Sequence, residues 1–151
     1  MKIGAIVLAI VPLIGSFTAS NAAEYLTNDF AKSRAYSPAV ITKGGRTVWL
    51  AGEGGSKDAA GHDISGDIEA QANLAFSNIA QTLKQAGGTL DNIVNMTVFI
   101  KNQKDGDTFV ALRKNFFPSG NYPASSLITI KDLAQPGWVI EIEGVAVIGD
   151  N

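Results

Sequence analysis

The chain has 151 residues, with 12 basic and 14 acidic side chains and a net charge of −2 at neutral pH. It contains no cysteine, which excludes a disulfide framework, a thiolate nucleophile and a thiolate metal site together. A single histidine argues against a histidine-based zinc site, and the acidic balance leaves no basic footprint for nucleic acid.

Lys2, the apolar run 3–14 and the small and polar residues up to SNAAE form the pattern of a secretory signal, with cleavage expected before Ala23. At about 12 residues the apolar run is too short to span a bilayer, which needs roughly 20. The expectation is an exported, periplasmic protein with one domain over residues 23–151 and no membrane association once processed.

A polar lead follows, and then AVIT (39–42) and TVWLA (47–51) flank KGGR, which predicts a hairpin. The glycine-rich segment 52–66 reads as a loop. From Asp67 the period changes. Ile68, Ala72, Ala75, Ile79, Leu83 and Ala86 recur at helical spacing, with Ser65 or Asp67 as cap and Gly87-Gly88 as exit. Residues 93–100 predict a strand with apolar residues on both faces. A second helix starts near Asp107, turns Phe109, Leu112 and Phe116 inward and stops at Pro118. Residues 125–130 and 138–148 predict two last strands around the loop KDLAQPG. The order β-β-α-β-α-β-β gives an α+β fold with two helices on one face of a single sheet. The other face is then left apolar and calls for a partner, most economically another copy of the chain.

Tested one at a time, the chemical motifs are sparse. Ser125 and Ser126 lack a G-x-S-x-G elbow, and the one candidate base, His62, lies in a polar loop beside Asp63. GEGG at 52–55 matches neither dinucleotide nor phosphate-loop spacing, so its glycines fit close approach of the backbone to a ligand or a neighbour. Asn95-Met96-Thr97 is a glycosylation sequon placed in a strand expected to be buried. Glu141 and Glu143 share one face of the last strand. They are either charges protecting a solvated edge or a carboxylate held in a partly dry cleft for proton transfer.

Five segments together resemble the RidA/YjgF family, also known as L-PSP endoribonuclease-like proteins. They are YSPAV (36–40), VWLAGEGG (48–55), GDIEAQ through TVFI (66–100), FFPSGNYPASS (116–126) and IEIEGVAV (140–147). The resemblance spans the chain from about Ala35 onward. It implies a chorismate-mutase-like fold, a homotrimer with ligand clefts between subunits, and hydrolysis of enamines or imines to a carbonyl compound and ammonia without metal or cofactor. It also implies a cleft lined by Tyr36, Gly52, Glu53 and Ser125, in which Glu141 positions or activates water as the catalytic residue.

The departures from the family pattern are specific. An arginine that clamps the substrate carboxylate follows Pro-Ala in the family motif, and here that position is Ser125. The family's helix-borne asparagine falls on Val110, its cysteine or small residue on Leu127, and its Ser-Gly-Gln on Ala51-Gly52-Glu53. A serine offers one donor and no charge. The expectation is therefore a deaminase with altered substrate choice, or alternatively a non-catalytic module that binds or senses a small ligand. Arg46, Arg113 and Lys131 are the candidates to bring a cation into the cleft from a neighbouring subunit.

Overall fold

Asp67 caps the long helix, its carboxylate accepting from the backbone N–H of Glu69 and Ala70 at 3.0 Å, and Gly87 leaves the helix at φ +82°. Between these signals the apolar stripe predicted from spacing is buried: Ala72, Ala75, Phe76, Ile79 and Leu83. In the computed structural model, which describes residues 23–149, the elements run in the order β1 (Ala23–Leu26), α1 (Asp29–Ser33), β2 (Ala39–Thr42), β3 (Arg46–Glu53), α2 (Ile68–Gln85), β4 (Ile93–Ile100), α3 (Gly106–Phe116), β5 (Ala124–Thr129) and β6 (Ile140–Ile148). The predicted secretory segment, 1–22, lies outside the described residues.

The main sheet has the order β3-β6-β4-β5. Strand β6 is antiparallel to β3 and β4, whereas β5 is parallel to β4 and reached through α3, since a parallel pair needs a crossover. Helices α2 and α3 supply one side of the core, where Phe76, Ile79, Leu83 and Phe109 meet Leu50, Met96, Val98, Ile100, Ile140 and Ile142. The α+β class and the packing of both long helices on one sheet face are as expected from sequence.

Three details differ. The polar lead, given no element from sequence, forms β1 and the five-residue α1, so the described residues contain three α-helices rather than two. Strand β2 does not pair with β3 as a hairpin but with β1, as a separate two-stranded ribbon, while β3 joins β6. The Lys43–Arg46 turn is present, with Gly45 at φ +78°, yet long-range pairing overrides the local one. Finally, β4 is covered by helices on one face only. Phe99 is half-buried, and Asn95 of the sequon is exposed rather than buried.

The face turned away from the helices carries Trp49 (80% exposed) beside its register partner Val145, and Ile128 (41% exposed). Glu141 and Glu143 belong to the same face, because they alternate with Ile140 and Ile142, which are buried against the helices. Strand β6 is interior to the sheet, so its carboxylates do not protect an edge.

Candidate functional site

Two sequence segments that are 85 residues apart are bound together first. Ser37, 3% exposed, donates its backbone N–H to the carbonyl of Pro123 at 3.0 Å and its hydroxyl to that of Tyr122 at 2.6 Å. A single parallel bridge to Ala124 completes the link. This knot between YSPAV and NYPASS places Tyr36 near Ser125, and both line a cavity of about 170 Å³ with Phe30, Arg34, Val110, Arg113 and Leu127. Four positions singled out by the resemblance (Tyr36, Val110, Ser125 and Leu127) therefore share one pocket.

The pocket is not without a cation. Arg113, only 2% exposed, reaches from α3 in the same chain and donates to the Ser125 hydroxyl at 2.7 Å and to the carbonyl of Arg34 at 2.6 Å. Its guanidinium lies 5.3 Å from the ring centroid of Phe109, one turn earlier on the helix. No carboxylate forms an ion pair with it among the described residues, and its Nε–H is buried without a partner. Burial first, and the neighbouring positive Arg34 second, lower its pKa from the usual guanidinium value to about 10, so the side chain is still charged at neutral pH. Arg34 is tied to the exposed Asp107 at 2.7 Å, and Phe30 and Tyr36 meet edge to face at 6.5 Å.

Sequence reasoning named Arg113 only as a residue that a neighbouring subunit would supply, and it missed Phe30 and Arg34. A usable signal existed. The buried positions of α3 are Gly106, Phe109, Val110 and Arg113, so an arginine stands on the inward stripe where an aliphatic residue is normal. Of the other two basic candidates, Arg46 bonds the carbonyl of Ala86 at the end of α2, and Lys131 is not among the pocket residues.

Glu141 and Gly52 form a separate pair. One extra residue bulges β3 between Leu50, opposite Gly144, and Glu53, opposite Ile142. The bulge brings the Gly52 backbone against the Glu141 carboxylate so closely that a Cβ at residue 52 would stand 2.0 Å from Oε1. Glu53 turns toward α2 and accepts from the Asn78 side chain at 3.1 Å. The GEGG glycines do allow close approach, but to side chains of the chain itself: a Cβ at Gly54 would meet the Trp138 ring at 2.6 Å. His62 is exposed and bonded to Asp58 at 3.0 Å, and it is not among the pocket residues.

Ser125 faces α3, while Glu141 faces away from the helices. One chain thus presents Ser125 and Glu141 on opposite sides of its sheet.

Residues 26–148 match the family model described as Endoribonuclease L-PSP. The human 2-iminobutanoate/2-iminopropanoate deaminase is 34% identical over 114 residues, covering 76% of this chain and 80% of that protein. Among solved structures, a protein of unknown function of the conserved Rid family from Yersinia pestis superposes with a TM-score of 0.75 at 25% identity, covering 84% of this chain and 99% of that one. A member of the YjgF/YER057c/UK114 family from Mycobacterium tuberculosis gives a TM-score of 0.59 at 27% identity, covering 83% and 99%. With the motif segments folded together as described, the chain belongs to the RidA/YjgF family, whose model carries the name Endoribonuclease L-PSP.

Proposed function

We propose that this protein hydrolyses an enamine or imine to a carbonyl compound and ammonia, in a cleft completed by a second copy of the chain. Water adds to the imine carbon, forming the new C–O bond. Glu141 takes a proton from that water and passes it to the nitrogen, giving a carbinolamine. The carbinolamine hydroxyl then gives up its proton, which Glu141 carries to the nitrogen as the C=O bond forms, the C–N bond breaks and ammonia leaves. No redox partner is needed, because the carbon keeps its oxidation level. The observation that carries the reading is the Glu141 carboxylate held against Gly52 on an open sheet face, while Tyr36 and Ser125 line a pocket on the other side. The similarity to the human imine deaminase supports the reaction class.

Assembly as a homotrimer is part of the reading, supported by the uncovered face bearing Trp49, Val145 and Ile128. Substrate choice is expected to differ from relatives that carry the motif arginine, because Ser125 supplies no charge and the nearest guanidinium enters from α3. RNA as a substrate is disfavoured by the net charge of −2. The test is to generate 2-iminobutanoate in situ and follow its disappearance with wild-type protein and Glu141→Gln. Turnover that depends on Glu141 supports the deaminase. A ligand that raises Tm and is never consumed would mark a binding module instead.

A further inference from the structure

Arg113 is an expensive residue to bury. A guanidinium taken out of water without a counter-charge costs several kcal/mol, and the two hydrogen bonds that Arg113 donates, to the Ser125 hydroxyl and the Arg34 carbonyl, go to acceptors that carry no charge. Of its five N–H donors two are engaged among the described residues, and Nε–H is orphaned. A second guanidinium, Arg34, stands on the same pocket and is repelled by the first. An apolar residue at 113 would avoid all three costs, since the surrounding stripe of α3 is apolar. Two positive groups converging on a small cavity with an unused donor are what an anion site looks like before its anion arrives. The size sets the anion: about 170 Å³ accommodates a few heavy atoms, and Phe30, Tyr36, Val110 and Leu127 offer apolar walls for a short carbon chain.

We propose that Arg113 is the specificity-determining cation of this pocket, that Ser125 acts as the positioning residue that holds it, and that together they receive the carboxylate of a small 2-imino or 2-oxo acid. The cation at this site has moved from the strand to the facing helix, with the strand position reduced to a hydroxyl that orients it. The inference rests on the deaminase reading for the imine but not for the carboxylate, so the two can fail separately.

The test uses the full assembly and two probes, 2-oxobutanoate and its methyl ester, titrated by calorimetry. Wild-type protein is expected to bind the acid at least tenfold more tightly than the ester, the worth of a lost charge-assisted hydrogen bond. In Arg113→Gln the acid-to-ester ratio is expected to fall to about one, and in Ser125→Ala to an intermediate value. Arg113→Lys recovers only part of the ratio, because an ammonium cannot reproduce the fork. Equal binding of acid and ester by wild type overturns the proposal, as does an unchanged ratio in a folded Arg113→Gln. If Arg113→Gln does not fold, the wild-type ratio and Ser125→Ala decide. Turnover of 2-iminobutanoate unaffected by Arg113→Gln removes this inference and leaves the deaminase standing. Arg113-dependent acid binding without turnover of any imine does the reverse.

Discussion

Gly52→Ala separates the position of the Glu141 carboxylate, proposed to handle water, from its presence. The added methyl would lie 2.0 Å from Glu141 Oε1, 2.9 Å from its Cδ and 3.1 Å from its Cγ. Since such contacts are not tolerated below about 3 Å, Oε1 has to retreat by about 1 Å. The backbone at Gly52 is not left-handed, so alanine carries no torsional penalty there. The obstacle is the end of a flexible, half-buried side chain, and the stability change should stay within about 1 kcal/mol. A displacement of about 1 Å at a reacting group costs roughly a hundredfold in rate, or about 2.7 kcal/mol of barrier. The assay is the decay of 2-iminobutanoate generated in situ by a threonine dehydratase, with Tm measured alongside. Gly52→Ala is expected to be folded and nearly as slow as Glu141→Gln, and the double variant no slower than either. A folded Gly52→Ala at full rate would refute the placement of Glu141 as the group that handles water.

Other consequences can be checked directly. Trp49→Glu places a charge on the open sheet face, and if the proposed homotrimer forms through that face, sedimentation should show it falling to monomers with unchanged circular dichroism; an assembly unaltered by the charge would show that this face is not the interface. Gln71, fully buried, donates to the carbonyls of Ile64 and Gly137 and accepts from the Val139 N–H, all at 2.8–2.9 Å. Gln71→Leu removes all three bonds and leaves the Val139 N–H without its partner, while the carbonyls of Ile64 and Gly137 keep the N–H groups of Asp67 and Gly66. A loss of about 1–3 kcal/mol, or roughly 5–10 °C in Tm, is therefore expected by calorimetry. A loss below about 1 kcal/mol would mean that water replaces the amide.

The parts legible in the sequence were those governed by local pattern. The caps and apolar stripe of α2, the strand-helix-strand order of β4, α3 and β5 and the shared face of Glu141 and Glu143 all follow from spacing, whereas the parallel pairing of β4 with β5 came from the structure. The β2–β3 hairpin did not form because the strands' partners, β1 and β6, lie outside any local window. Ser125, which the resemblance places where the family motif has an arginine, does line the pocket with Tyr36. That Arg113 donates to Ser125 could not be read from strand spacing, since it depends on which turn of α3 lies over β5. The inward position of an arginine on α3 was the one local sign of it. Glu53, by contrast, occupies the family's glutamine position yet points to Asn78, because the bulge at residues 51–52 rotates the end of β3.

The account stands on a site built from two chains, and subunit mixing tests that most directly. Arg113→Gln and Glu141→Gln proteins, each inactive alone, are co-refolded at equal concentration and assayed on 2-iminobutanoate. If each cleft takes Arg113 from one subunit and Glu141 from its neighbour, random assembly leaves about one quarter of clefts intact, and activity should return to about that fraction of wild type. Mixed assemblies that remain inactive would contradict the account, because they would place Arg113 and Glu141 of a single chain in one site.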